Sequence, residues 1–222
     1  MSAPKHPARF TLELLPMFVE ALTPLAEHGP VSVLDPFAGT GRIHKLRDMG
    51  PFLTTGVEIE REWSDMSPYT FLGNALALQF NADSFDAVVT SPTYGNRMAD
   101  KHEAKDSSTR RSYRHDLGRP LHEMNSGGMQ WGAQYRAFHE QAWTEVRRVV
   151  RDGGLFVLNI KDHIRKGKRQ YVAGWHISTI CRLGFDLLWH DGVEAQGMRM
   201  GENSTARLPD ESVYVFTNNK GE

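Results

Sequence analysis

The chain has 222 residues, with 26 Lys or Arg and 27 Asp or Glu, so its formal net charge is −1 when the 10 His are neutral. The hydrophobic fraction of 40% and the charged fraction of 24% are ordinary for a globular domain and exclude a disordered, collagen-like or repeat protein. The near-zero net charge also argues against a polyanionic partner. There is no apolar run of roughly 18 residues that could cross a membrane, and the N-terminal segment lacks the apolar core of a secretory signal. Because Cys181 is the only cysteine, an internal disulfide and a multi-cysteine metal site are excluded, and a cytoplasmic protein is expected.

The first half of the sequence alternates between helical and strand patterns. Apolar residues at helical spacing predict a helix over residues 10–27, which Pro16 and Pro24 split or end. Short apolar or β-branched runs predict buried strands at residues 31–34, 54–59, 70–72 and 86–90. The stretch after Gly41, closed by Gly50 and Pro51, predicts a second helix.

The second half begins with a long stretch that has no period. Residues 95–132 are rich in Gly, Ser, Asn, Arg and His, and a loop of this length in a compact domain either binds something or is disordered. Periodicity returns with predicted helices at residues 135–150 and 171–183, the first ended by Asp152-Gly153-Gly154, and predicted strands at residues 155–160, 185–189 and 212–217. This alternation predicts a single α/β domain with a mostly parallel sheet, in which the last two strands pair as an antiparallel hairpin and residues 95–132 form an insertion.

Ligands of such sheets bind outside the carboxyl ends of the strands, where the first strand is followed by the segment DPFAGTG, from Asp35 to Gly41. The third glycine of a dinucleotide-binding fingerprint is replaced by His44, which disfavours a pyrophosphate site of the NAD type. Glu58, at the end of the second strand, lies near the spacing of roughly 20 residues at which a carboxylate binds a ribose. A nucleoside-like cofactor without a pyrophosphate fits both observations, and a glycine turn without a ligand is the alternative. Glu60 is interpreted as surface charge.

The fourth strand ends in Ser91-Pro92-Thr93-Tyr94. With this segment the chain resembles the amino-methylating DNA methyltransferases, class I enzymes that use S-adenosylmethionine (SAM) and carry D-x-F-x-G-x-G after strand one and [DNS]-P-P-[YFW] after strand four. The segment HPARF, which ends at Phe10, is similar to the H-P-x-[KR]-F element of that family. Residues 135–160, which end in RRVVRDGGLFVLNI, are similar to the helix and fifth strand of the class. The proline-cysteine pair required for C5-cytosine methylation is absent. The resemblance covers most of the chain.

The resemblance implies a Rossmann-like fold with a mostly parallel seven-stranded sheet, helices on both faces and an antiparallel edge hairpin. It implies a SAM site made by Phe10, Asp35, Pro36, Phe37, Ala38, Gly39, Gly41, Glu58, Ile59, Asn74 and Ala75. Asn74 stands where an acid is common, and its carbonyl oxygen is expected to accept a hydrogen bond from the adenine amine.

The same resemblance assigns the chemistry to Ser91, Pro92, Thr93 and Tyr94. Ser91 and the carbonyl oxygen of Pro92 would accept hydrogen bonds from the target amine, and Tyr94 would stack on a base flipped out of the duplex. Thr93 replaces the second proline of the family, which predicts a less rigid loop. Direct transfer of this kind needs positioning but neither a metal nor a covalent enzyme intermediate. His139-Glu140 does not extend to a zinc motif, because Trp143 occupies the position of the second His.

Two basic segments follow the ends of the fourth and fifth strands. Residues 97–119 contain seven basic and four acidic residues, and residues 161–169 contain five basic and one acidic residue, so the average charge conceals an uneven distribution. Basic side chains on one face are typical of phosphate contacts, whereas solvated loops are the alternative. The predicted nucleic-acid contacts are Asn96, Arg97, Lys101, Arg110, Arg111, Arg114, Arg119, Lys161, Arg165, Lys166 and Lys168. The sequence does not decide whether Tyr113, His122, Met124, Met129 and Trp131 stack on bases or anchor the insertion.

The predicted function is therefore a SAM-dependent methyltransferase acting on an exocyclic amine of double-stranded DNA. Serine at the first motif position favours cytosine N4 over adenine N6. A class I methyltransferase acting on RNA or on a protein amide, and an inactive relative that binds nucleic acid, are the alternatives.

Overall fold

The computed structural model describes residues 10–95, 113–165, 167–194 and 210–221. The strands are β1 (Val31–Asp35), β2 (Phe52–Glu58), β3 (Thr70–Leu72), β4 (Phe85–Thr90), β5 (Val150–Ile160), β6 (His163–Arg165), β7 (Lys168–Gln170), β8 (Phe185–Glu194) and β9 (Asp210–Asn218). The α-helices are α1 (Leu15–Ala26), α2 (Arg61–Ser64), α3 (Tyr113–Leu117), α4 (Ala133–Val149) and α5 (Val172–Arg182). Shorter 3-10 helices cover Leu12–Leu14, Arg42–Asp48 and Ser126–Gly128.

Seven strands form one sheet in the order β3-β2-β1-β4-β5-β9-β8. The pairs from β3 through β5 are parallel, and β9 is antiparallel to both β5 and β8. The predicted mostly parallel sheet with an antiparallel edge hairpin is therefore confirmed. The chain order reverses between β1 and β4, which is the point where open α/β sheets leave a crevice for a ligand.

Both faces of the sheet are covered, as the strand sequences require. Along β5, Leu155 and Val157 join a core cluster with α1, whereas Phe156 and Leu158 join the cluster that contains α4 and α5 residues. This alternation follows from the two-residue period of a strand. In the part of the chain that the structure describes, no helix is both long and apolar enough to cross a membrane.

The structure differs from the predicted elements at several places, among them a helix, a strand and a loop. The helix predicted after Gly41 is a 3-10 helix, and its His44 ring hydrogen bonds to the hydroxyl groups of Thr54 and Thr70, both at 2.8 Å. The strand predicted from residue 155 begins at Val150. Its first part contains Gly153, with a left-handed φ of 66°, and a shift in the register of the pairing between β4 and β5. The segment predicted as a basic loop forms the antiparallel β6–β7 hairpin.

Candidate active site

One pocket of about 250 Å³ lies at the carboxyl ends of the central strands. We distinguish three walls by the elements that supply them. The first wall comprises Phe10, Asp35, Pro36, Phe37, Ala38, Gly39, Glu58, Ile59, Asn74 and Ala75; the second comprises Ser91, Pro92, Thr93, Tyr94, Lys161 and Glu211; the third comprises Tyr113, Met124, Asn125 and Ser126. Two motifs that are far apart in the sequence therefore face one cavity.

Asp35 joins the first motif to the fourth strand. Its Oδ1 atom accepts hydrogen bonds from the backbone N–H of Phe37 at 3.0 Å and from the hydroxyl group of Thr90 at 2.7 Å. Burial raises the pKa of Asp35 to about 6, against the lowering effect of these two hydrogen bonds. The carboxyl group thus fixes the turn after β1 against the end of β4.

Glu58 closes the first wall at the end of β2. Its two carboxyl oxygens accept the N–H groups of Gly39 and Glu60, each at 2.9 Å, and Gly39 presents its N–H from a left-handed φ of 54°. Burial raises the pKa of Glu58 to about 7, and these N–H groups oppose that effect. Each carboxylate oxygen has a second lone pair, so Glu58 retains acceptor capacity toward a ligand in the pocket.

Glu60 is a buried anchor, so its interpretation as surface charge was wrong. Its Oε1 atom accepts hydrogen bonds from the N–H of His122 at 2.8 Å and the side-chain amide of Asn125 at 2.9 Å. Its Oε2 atom pairs with the guanidinium of Arg119 at 2.8 Å, and Arg119 also donates to Glu62 at 2.8 Å. Arg119 was predicted to contact nucleic acid, but its guanidinium is engaged in fixing the third wall to the end of β2.

Two residues predicted in the cofactor site have other local contacts. Asn74 lines the pocket, and its side-chain carbonyl oxygen was expected to accept a hydrogen bond from a ligand. That oxygen accepts the N–H of Leu76 at 2.9 Å. Gly41 is not among the described lining residues. It starts the 3-10 helix at a left-handed φ of 75°, and a Cβ atom there would lie 2.7 Å from the His44 ring.

The second wall is held together by Asn159 of β5, a residue that the sequence analysis did not select. The fully buried Asn159 amide donates to Ser91 Oγ at 3.0 Å and to the Tyr94 hydroxyl at 3.2 Å, and these two hydroxyl groups lie 3.3 Å apart. Burial, and then the charge of Glu211, raise the pKa of Tyr94 above its ordinary value, so its hydroxyl remains protonated at neutral pH.

Thr93, which replaces the second proline of the motif, forms two hydrogen bonds with neighbouring elements. Its hydroxyl donates to Ser126 Oγ at 2.9 Å, and its carbonyl oxygen accepts from the Tyr135 hydroxyl at 2.6 Å. Behind Tyr135, the indole N–H of Trp143 donates to Nδ1 of His176, so the neutral ring carries its proton on Nε2 and donates to Tyr135 at 3.0 Å. This buried chain of donors ends on the Ser91–Tyr94 segment, and the less rigid loop expected from Thr93 stays a prediction.

The residues that the sequence left open between base stacking and anchoring have described contacts. Tyr113 packs edge-on against Trp63 with centroids 5.6 Å apart and also lines the pocket. Trp131 packs against Tyr135 at 5.3 Å, and Met129 is buried in the core. Trp131 and Met129 therefore anchor the insertion, whereas Met124 lines the pocket and is 36% exposed.

The remaining predicted nucleic-acid contacts divide into two groups. Asn96, Arg97, Lys101, Arg110, Arg111 and Lys166 lie outside the described residues, as does the side chain of Arg114. Lys161 lines the pocket, and Arg165 and Lys168 are opposite each other in the register of the β6–β7 hairpin.

The order of the strands and the position of the pocket can be compared with known structures. The [4+2]-cyclase SpnF superposes with a TM-score of 0.59 at 14% identity, over 94% of this chain and 82% of that chain. A SAM-dependent methyltransferase from Methanosarcina mazei superposes with a TM-score of 0.55 at 13% identity, over 86% of this chain and 93% of that chain. The chain has the class I methyltransferase fold. No protein-family model matches this sequence, and a comparison with curated sequences finds no similar protein.

At this level of identity the likeness shows the class I fold alone, and one structure of this fold is that of a cyclase. The function therefore has to be argued from the site. The residues that sequence reasoning missed have a positional explanation. Asn159 is a polar residue near the carboxyl end of β5, where ligand-binding residues are expected, and Glu211 is the second residue of the antiparallel strand β9, whose start meets the ends of the parallel strands.

Proposed function

We propose that the protein is a SAM-dependent methyltransferase that modifies an exocyclic amine of a DNA base, with cytosine N4 favoured over adenine N6. One observation carries this proposal: the DPFAGTG turn with Glu58 and the Ser91–Tyr94 segment line the same pocket. Direct methyl transfer requires a cofactor site beside a motif that accepts hydrogen bonds from the target amine, because the reaction depends mainly on alignment of the reacting groups.

The first wall fits a nucleoside whose ribose hydroxyls donate hydrogen bonds to a carboxylate. Glu58 keeps acceptor capacity for a ribose hydroxyl, and Gly39 allows close approach because it has no side chain. The Arg42 guanidinium donates to the carbonyl oxygen of Phe10 and lies 5.8 Å from the Phe10 ring centroid, which fixes Phe10 at the edge of this wall. When bound, SAM supplies an electrophilic methyl group on a sulfonium; the residues of the first wall hold and orient it.

The second wall supplies the acceptor chemistry. The lone pair of an exocyclic amine is delocalised into the base, so the amine is a weak nucleophile. Ser91 and the carbonyl oxygen of Pro92 are proposed to accept its N–H groups and to favour the tetrahedral form, in which the lone pair is free to attack. Tyr94 offers a ring for stacking on the flipped base, and its hydroxyl is fixed by Asn159 at 3.2 Å.

The charges of the β6–β7 hairpin support a phosphate-bearing substrate. Arg165 and Lys168 are directly opposed in the register, and among the described residues neither has an ion-pair partner. Like charges that face each other across two strands are unfavourable unless an anion lies between them. Lys161, on the segment that leads into the hairpin, lies at the pocket itself.

Tritiated SAM incubated separately with unmethylated plasmid DNA, tRNA and a protein pool tests this proposal. We expect label in DNA, and nucleoside mass spectrometry then identifies the modified base. Label found only in tRNA, or only in protein, would contradict DNA as the substrate and identify the labelled pool as the substrate instead. If no pool is labelled while calorimetry shows SAM binding, the inactive relative is supported and methyl transfer is refuted.

A further inference from the structure

The three carboxyl groups of the pocket differ in what they bind. Asp35 and Glu58 accept hydrogen bonds from neighbouring backbone N–H groups of the protein. The Oε2 atom of Glu211 is buried, yet it has no hydrogen-bond partner among the described residues. Because buried carboxylate oxygens are almost always paired, an unpaired one that lines a pocket points to a donor supplied by a ligand.

Lys161 places a donor next to this free acceptor. Its Nζ atom lies 3.8 Å from Glu211 Oε1, beyond hydrogen-bonding distance, so the two groups attract each other without being closed by a direct hydrogen bond. The side chains are 26% and 12% exposed, respectively, and both line the pocket beside Ser91 and Tyr94. An ammonium only donates and a carboxylate only accepts, so the pair presents one donor and one acceptor side by side.

We propose that Glu211 and Lys161 recognise the amino edge of the methyl acceptor. Glu211 Oε2 accepts an N–H of the substrate amino group, and Lys161 donates to the ring nitrogen or carbonyl oxygen next to that amino group. This inference rests on the proposed function and narrows its substrate to planar groups in which an amino group adjoins a hydrogen-bond acceptor. Cytosine and adenine have that edge, whereas uracil and hypoxanthine present the reversed order of donor and acceptor.

The assignment also distributes the acceptors of the second wall. Ser91 Oγ already accepts the Asn159 amide at 3.0 Å, which occupies one of its two lone pairs. In this refinement Glu211, as the stronger, charged acceptor, takes the N–H that the proposed function assigns to Ser91, and the carbonyl oxygen of Pro92 accepts the other. Ser91 then serves to position the segment through its hydrogen bond with Asn159. Glu211 is therefore a direct substrate contact in this proposal.

Binding of matched nucleotides tests the inference without relying on methyl transfer. The protein is saturated with S-adenosylhomocysteine and titrated by NMR with the 5′-monophosphates of deoxycytidine and deoxyuridine, and then with those of deoxyadenosine and deoxyinosine. We expect the wild-type protein to bind the amino base about tenfold more tightly than its oxo counterpart in at least one of the two pairs. Glu211→Gln, whose amide offers both a donor and an acceptor, should remove most of that preference.

Glu140→Gln is the matched control, because Glu140 forms an exposed ion pair with Arg182 on the outside of α4. It should keep the wild-type preference. A wild-type protein that does not discriminate, or a Glu211→Gln variant that discriminates as well as the wild type, would overturn the inference. If Glu211→Gln fails to fold, Lys161→Met decides: retained preference refutes the recognition pair, and a severalfold loss supports it.

The two proposals fail in different ways. Amino-base preference without methylation of any pool would uphold the recognition pair and refute the proposed activity. Methylation of DNA by a Glu211→Gln variant that has kept the wild-type preference would uphold the activity and refute the recognition pair.

Discussion

In the first wall of the pocket, the carboxyl groups are bound mainly by backbone N–H groups of the turns after β1 and β2, whereas in the second wall the polar side chains are bound by a side chain from another strand. Glu58 accepts N–H groups from Gly39 and Glu60, and Asp35 accepts one from Phe37. Ser91 and Tyr94, which follow β4, instead depend on Asn159 of β5. The first wall thus takes its shape mainly from backbone N–H groups, with one side-chain hydrogen bond to Thr90 of β4, and the second wall takes its shape from side-chain contacts between strands.

The difference extends to unsatisfied groups. Among the described residues, the buried side-chain oxygens without a partner include Oδ1 of Asn159 and Oε2 of Glu211, both associated with the second wall. Neither oxygen of Glu58 is among them. Each Glu58 oxygen already has a protein donor, while the second wall keeps acceptors that have none among the described residues. This arrangement suits a general cofactor site beside a selective acceptor site, and substitutions can separate the two.

The largest expected effect is at Tyr94. Tyr94→Ala should lower the methylation kcat/KM at least about a thousandfold, because it removes the stacking surface and leaves the flipped base without a fixed position. SAM affinity measured by calorimetry should change less than about twofold, because Tyr94 belongs to the second wall and not to the predicted cofactor site.

Tyr94→Phe is the control for this prediction, because it retains the ring and removes only the hydroxyl bound by Asn159. We expect it to lose about tenfold in kcat/KM, which corresponds to one hydrogen bond. Methylation by Tyr94→Ala at the rate of Tyr94→Phe would remove the stacking role.

The next largest effect concerns the anchor between the first and third walls. Glu60→Ala should lower the free energy of unfolding by about 3 kcal/mol. The substitution leaves the N–H of His122 and the amide of Asn125 without their acceptor, and it removes the buried carboxylate that pairs with Arg119. Urea unfolding measures this change. Glu62→Ala removes the other partner of Arg119, but its side chain is 39% exposed, so its loss should stay below about 1 kcal/mol. Equal losses in the two variants would contradict the anchor.

The same contrast explains what the sequence could predict. The strands were predicted because each is a short apolar run between turn residues, and the first wall was predicted because its residues lie in contiguous motifs next to the strand ends. Glu60 was misjudged because its partners, at residues 119–125, approach it only in the folded chain. Asn159 and Glu211 were missed because their position depends on the pairing of β5 with β9, in which Asn159 lies opposite Val213. Strand register of this kind is set by packing and not by a local pattern.

A third effect should appear as a pH dependence of the first wall. The pKa of Glu58 is about 7 in the folded chain, against an ordinary value of 4.5. Between these two pH values the folded state keeps a proton that the unfolded state has lost. Stability therefore falls as the pH rises from about 5 to about 8, by roughly 3 kcal/mol for this group. Glu58→Gln cannot titrate and should show a correspondingly weaker decrease when urea unfolding is measured at both pH values. Parallel pH profiles in the two proteins would show that Glu58 does not hold its proton in the folded state.

The smallest expected effect is at Thr93, where the second and third walls meet. Thr93→Val keeps the shape of the side chain but removes the hydroxyl that donates to Ser126 at 2.9 Å, so the free energy of unfolding should fall by about 1 kcal/mol. Ser126→Ala removes the other partner, and the double variant should lose less than the sum of the two single changes because both remove the same bond. Since the Thr93 carbonyl remains bound to Tyr135, kcat should fall only a fewfold. Additive losses in this cycle would mean that Thr93 and Ser126 are not energetically coupled, and the second and third walls would then be independent of each other.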